Sequence, residues 1–87
     1  MFKFKTAESR KRWDRLFNKA MSLDTIHYSE FRDIHSLYYD NSSEADDNLI
    51  MGKLGFSRQT FRGIMYHYPA SSKQMKRIIS LMNDLLK

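Results

Sequence analysis

The stretch GFSRQTFRG, residues 55–63, decides how this chain folds. Gly55 takes positive φ at no steric cost, so it can end one helix. Ser57, two residues on, can accept orphan N–H groups and open the next. The helix opened by Ser57 places Phe61, Ile64 and Met65 on one apolar face. Its other face carries Arg58, Gln59, Arg62, Gly63 and Tyr66. Upstream, a helix from about Glu44 to Leu54 reaches Gly55 with Leu49, Ile50 and Leu54 inward. Glu44, Asp46 and Asp47 fall in its first turn, where the helix dipole favours anions. About three residues then join the two helices, and so short a link forces a sharp corner.

Working outward from that corner, the same apolar periodicity recurs. Thr6 caps a helix beginning near Ala7, with Trp13, Leu16, Phe17 and Ala20 as its stripe. Arg10, Lys11, Arg12, Arg15 and Lys19 lie on its other faces. Ser29 caps a second helix to about Tyr39, with Phe31, Ile34, Leu37 and Tyr38 inward. Residues 40–44, DNSSE, form a turn of side chains that bond their own backbone. The helix after Gly55 runs to about His67, and Pro69 forbids its continuation. Ser71 or Ser72 caps a last helix with Met75, Ile78, Ile79, Met82, Leu85 and Leu86 on one broad face. Lys73, Lys76 and Arg77 stay outside. No strand and no internal repeat is evident. The expected fold is all-α, about five short helices in one domain over residues 1–87.

The chain has 87 residues, enough for one modest core, and twelve aromatic side chains to fill it. There is no cysteine, which removes disulfides and thiolate metal sites and fits a reducing cytoplasm. No run approaches the roughly eighteen apolar residues of a membrane span, and the basic N-terminus lacks the apolar core of a signal peptide. The net charge is +5. Its layout is more telling than its sum. Residues 1–21 carry seven Lys and Arg against two acids, residues 22–47 one against seven, and residues 48–87 seven against one. Basic flanks of this kind suit a polyanion such as nucleic acid.

The corner also carries a likeness. IMGKLGFSRQTFRGIM, residues 50–65, resembles the helix-turn-helix of phage repressors, Cro and related bacterial regulators. Their pattern is an apolar-small-polar-polar-Leu-Gly run followed by apolar-Ser-x-x-Thr-apolar. Leu54, Gly55, Phe56, Ser57, Thr60, Phe61 and Ile64 fall on matching places, over about a quarter of the chain. YPASSKQMKRIISLM, from Tyr68, is similar to the proline-Ser-helix that follows the reading helix there. One place departs: Met51 stands where the family has a small residue, with Gly52 beside it. Either the helices splay or their contact moves to Gly52.

The resemblance implies sequence-specific binding of double-stranded DNA by a cytoplasmic transcription regulator of phage or plasmid type. The helix-turn-helix core would span about residues 44–67. Base contacts would come from Arg58, Gln59, Arg62 and Gly63. Arg bonds guanine O6 and N7 together, Gln does the same on adenine N6 and N7, and Gly63 would allow close approach. Backbone contacts would come from Ser57, Thr60, Tyr66 and Lys53, with Tyr68 a further candidate, and separately, from the basic face of the first helix, from Arg12 and Arg15. Apart from the resemblance, the broad apolar face of the last helix exceeds what so small a core can cover, so Leu85 and Leu86 could pair two copies as a homodimer.

Other constellations are weaker. His27, His35 and His67 lack metal-ligand spacing, and Glu44, Asp46 and Asp47 lack the glycine of a calcium loop. No glycine elbow supports a Ser-His-Asp site. No metal, cofactor or catalytic residue is expected, and the chain does not read as an enzyme. The alternative is a protein-binding module or inhibitor that docks on a host protein through the acidic middle segment.

Overall fold

A computed structural model describes residues 1–66 and 70–86 of the chain. It contains five helices: α1 (Ala7–Ser22), α2 (Tyr28–Asn41), α3 (Glu44–Leu54), α4 (Arg58–Tyr66) and α5 (Ser72–Asp84). The all-α expectation and the helix count both hold. Pro69 and His67, expected to close α4, and Tyr68 lie outside the described residues.

Local chemistry sets most helix starts. The Thr6 side chain accepts the Ser9 N–H at 3.0 Å, Ser57 accepts Thr60 N–H at 3.2 Å, and Ser71 accepts Gln74 N–H at 3.1 Å. Each satisfies one N–H that lacks an intrahelical partner. Helix α2 begins before Ser29, the expected cap. Glu30 reaches back to the His27 N–H at 3.0 Å, closing the turn two residues earlier. At the other end of α3, Gly55 adopts φ 72° and ψ 27°, and the Phe56 N–H bonds the Met51 carbonyl at 3.1 Å.

Helix α5 is the spine, packed against α1, α2 and α3. Its Met75, Ile78, Ile79 and Met82 are buried, and so are Trp13, Phe31, Ile34, Ile50, Phe61 and Met65. Trp13 donates its indole N–H to Asn83 Oδ1 at 2.9 Å, tying α1 to the end of α5. Tyr28 donates its hydroxyl to the Met65 carbonyl at 3.1 Å, tying α2 to α4. Lys76 donates to the Leu23 carbonyl, so this lysine does not stand wholly outside as expected.

The N-terminal arm belongs to no helix, yet it joins the core. Phe2 and Phe4 are buried, and the Phe2 N–H donates to the Leu85 carbonyl at 3.1 Å in a parallel bridge with Leu86. The Phe2 ring meets Phe4, Trp13 and Tyr38 edge-on, with centroids 5.5, 6.3 and 5.2 Å apart. Leu85 is only 6% exposed as a result. Leu86, beside it, is half-buried. The arm supplies the apolar partner that α5 needs.

The buried face of α3 is also rotated. Leu49, expected inward, is 46% exposed, while Met51 is buried. The buried line runs Asp46, Ile50 and half-buried Leu54, at steps of four, with Met51 flanking it. Asp46, 1% exposed, forms an ion pair with the Met1 ammonium and accepts from Ser43 N–H at 2.8 Å and Ser43 Oγ at 3.1 Å. Burial pushes its carboxyl up, but the ammonium and the Ser43 bonds outweigh this and hold it below the usual aspartate value. Of the two alternatives at the corner, a contact moved to Gly52 is not the one seen; Met51 is the buried residue. A Cβ on Gly52 would meet nothing within 4 Å.

Candidate nucleic-acid interface

The corner presents α4 with one face inward and one outward. Phe61, Ile64 and Met65 are buried; Arg58, Gln59, Arg62 and Tyr66 are exposed, as the helical period demands. Gly63 departs from the expected arrangement. It is buried, so it does not stand at the open surface where a close approach to DNA was expected. Lys53 is exposed near the end of α3. Ser57 and Thr60 are exposed, but their hydroxyls bond each other at 3.0 Å and complete the helix cap.

Arg58 does not project freely. Its guanidinium donates to Asn48 Oδ1 at 2.9 Å and pairs with Glu44 Oε1 at 3.0 Å. Glu44 and Asn48 lie one turn apart on α3, so a single face of that helix holds the first residue of the next. Sequence reasoning missed both partners, because the contact crosses the corner. The signal present was the four-residue spacing itself. Arg62 makes no ion pair or hydrogen bond among the described residues.

Arg58, Arg62 and Tyr66 line a cleft of about 300 Å³ together with His35, Tyr39, Asp47, Phe61 and Met65. Next to it, Tyr39, Asp47, Arg58 and Arg62 meet Ser42, Ser43 and Glu44 at the start of α3. The cleft mixes both signs of charge. Asp47 accepts the Tyr38 hydroxyl at 2.7 Å. Burial raises its carboxyl above the usual value, against that bond and the charge of Arg58. Burial, reinforced by Asp47, drives the Tyr38 hydroxyl well above the ordinary tyrosine range. Burial lowers His35 to about 4, with the Arg32 charge acting the same way, so its imidazole is neutral near pH 7. Tyr66 is raised by burial and by the neighbouring Tyr39 and Asp47.

The basic face of α1 stands apart from this cleft. Arg12 and Arg15 are exposed and line neither part of it, and Arg10 is partly spent on Asp14 at 3.3 Å. Among the described residues no group of three or more His, Asp or Glu side chains is gathered that could hold a metal ion. No helix among them is long and apolar enough to cross a membrane. No family model matches the chain, and no curated protein or solved structure matches it significantly.

Proposed function

We propose that this chain is a helix-turn-helix protein that binds double-stranded DNA by sequence, with α3 as the supporting helix and α4 as the reader. The observation that carries this is the corner itself. Gly55 sits in left-handed backbone, three residues link the helices, and the Ser57-capped helix turns Arg58, Gln59 and Arg62 outward from its first turn. A regulator of phage or plasmid transcription working in the cytoplasm is the role such a protein fits. No cofactor, metal or catalytic step is part of it.

Arg58 must leave Glu44 and Asn48 to reach a base. Exposed ion pairs are worth about 0.2–1 kcal/mol, whereas a bidentate arginine–guanine contact discriminates by about 1–3 kcal/mol, so base contact prevails. Lys53, Arg12 and Arg15 would add phosphate contacts, which position the protein without carrying sequence information.

A second reading has its own observation. Glu44 and Asp47 lie beside Arg58 and would repel phosphate at the start of α3. They would suit a basic surface on a protein partner instead.

Selection of bound duplexes from a random pool, repeated at several salt concentrations, separates the two. DNA binding gives a recovered sequence and a log affinity that falls linearly with log salt. Arg58→Ala or Gln59→Ala should then cost about 1–3 kcal/mol on the selected site and relax one base position. Replacing Arg12 and Arg15 with Gln should flatten the salt slope by about 0.9 for each phosphate no longer neutralised, and leave base preference alone. Full affinity and unchanged preference in both α4 variants would remove α4 as the reader.

A further inference from the structure

His35 lies on the floor of the cleft between α2 and α4. It is 6% exposed and surrounded by rings, with Phe31 stacked at 6.5 Å, Tyr39 at 6.1 Å and Tyr66 edge-on at 5.3 Å. A polar side chain this deep normally has a hydrogen-bond partner. His35 has none among the described residues. Its imidazole lines the cleft. Being neutral, it offers one N–H donor and one acceptor there.

The other walls define what such a ring would meet. Tyr39, 63% exposed, and Tyr66 present aromatic surface at the rim. Phe61 and Met65 make an apolar floor beside His35. Arg62 is a guanidinium without an ion pair among the described residues. Asp47 spends one carboxylate oxygen on Tyr38 and keeps the other as an acceptor. A bare inorganic anion would face Asp47 and an apolar floor. A purely apolar ligand would leave Arg62, Asp47 and His35 without partners. A planar heteroaromatic ring with N–H donors and an attached anion satisfies all of them.

We propose that this cleft binds a mononucleotide. The base packs against Tyr39 and Tyr66, its N–H groups donate to Asp47 and to the acceptor nitrogen of His35, and Arg62 donates to the phosphate. The volume, about 300 Å³, is that of a small-ligand site and holds the base with the phosphate at the mouth. The site stands whether or not α4 reads DNA. Because it uses Arg62, a nucleotide and a duplex would compete for that side chain. Two sources share this chemistry: a free nucleotide, or the unstacked terminal nucleotide of a strand.

The test is an NMR titration of the full labelled chain, following the His35 ring protons. The probes are adenosine 5′-monophosphate, inorganic phosphate and a 5′-phosphorylated oligo-dA single strand. Saturable His35 shifts with the nucleotide are expected, with inorganic phosphate about tenfold weaker or worse. Arg62→Gln and Tyr39→Ala should each weaken nucleotide binding about tenfold. Both positions are exposed, so their amide spectra should otherwise stay native. Tighter binding of the strand would identify a strand end as the source; tighter binding of the nucleotide would identify the free molecule. Either supports the site. An unmoved His35 in millimolar nucleotide, equal affinity for phosphate alone, or indifference to both variants would overturn it.

Discussion

Phe2→Ala tests the claim that the N-terminal arm is part of the core. Phe2 is 4% exposed and edge-on to three other rings. Truncating a buried Phe to Ala costs about 3–5 kcal/mol, from the forfeited transfer energy and the cavity left behind. At roughly 0.05–0.15 kcal/mol per residue, a chain of this length has about 4–13 kcal/mol of stability in all. One substitution would therefore remove between about a quarter and all of it. Urea unfolding, followed by circular dichroism and by the fluorescence of the single tryptophan, Trp13, reads this directly. With a slope near 1 kcal/mol per molar urea, the midpoint should fall by about 3 M, or the variant should be unfolded without denaturant. Lys3→Ala is the control. It sits between the two buried phenylalanines but is exposed, so it should change stability by less than about 0.5 kcal/mol. A Phe2→Ala midpoint equal to that of Lys3→Ala would refute the arm's place in the core.

Three further outcomes follow from the same structure. At neutral pH His35 is uncharged in both the folded and unfolded chains. As pH falls through 6.5 the unfolded chain takes up a proton that the folded chain refuses until about 4. Stability should therefore drop across that window by up to about 3 kcal/mol, and urea midpoints of His35→Phe should be flatter there than those of the native chain. Gly55→Ala should cost about 1–2 kcal/mol through its φ of 72°, whereas Gly52→Ala, opening onto empty space within a helix, should gain about 0.5–1 kcal/mol. Thermal melts of the two variants that shift in the same direction would contradict this pair. Glu44→Gln should release Arg58 and raise affinity for the selected duplex by a factor of about two to five, the equivalent of an exposed ion pair. Weaker binding by that variant, measured by fluorescence anisotropy, would mean that Glu44 positions Arg58 rather than competing for it.

The amino-acid sequence alone determined the helices, because what starts and stops a helix acts within a few residues. Thr6, Ser57 and Ser71 bond N–H groups three positions on, and Gly55 ends α3 through its own φ. The outward Arg58, Gln59 and Arg62 of α4 were legible for the same reason, since a period of 3.6 needs only the positions of Phe61, Ile64 and Met65. Tertiary structure decided what touches across the chain. Asp46 read as a partner of the helix dipole; in the fold it is buried and pairs with Met1, on the face of α3 that also buries Ile50 and Met51. Phe2 and Phe4 belong to no helical stripe, yet they are buried, with the Phe2 ring against Trp13 and Tyr38. Gly63 looked like open surface and is buried. Glu44 and Asn48 hold Arg58, and His35 joins Tyr39, Arg62 and Tyr66 in one cleft, through the angle at Gly55 and the seating of α2 against α4. No local spacing encodes those two quantities, because burial and charge pairing between distant residues are settled only when the apolar faces of all five helices find a common core.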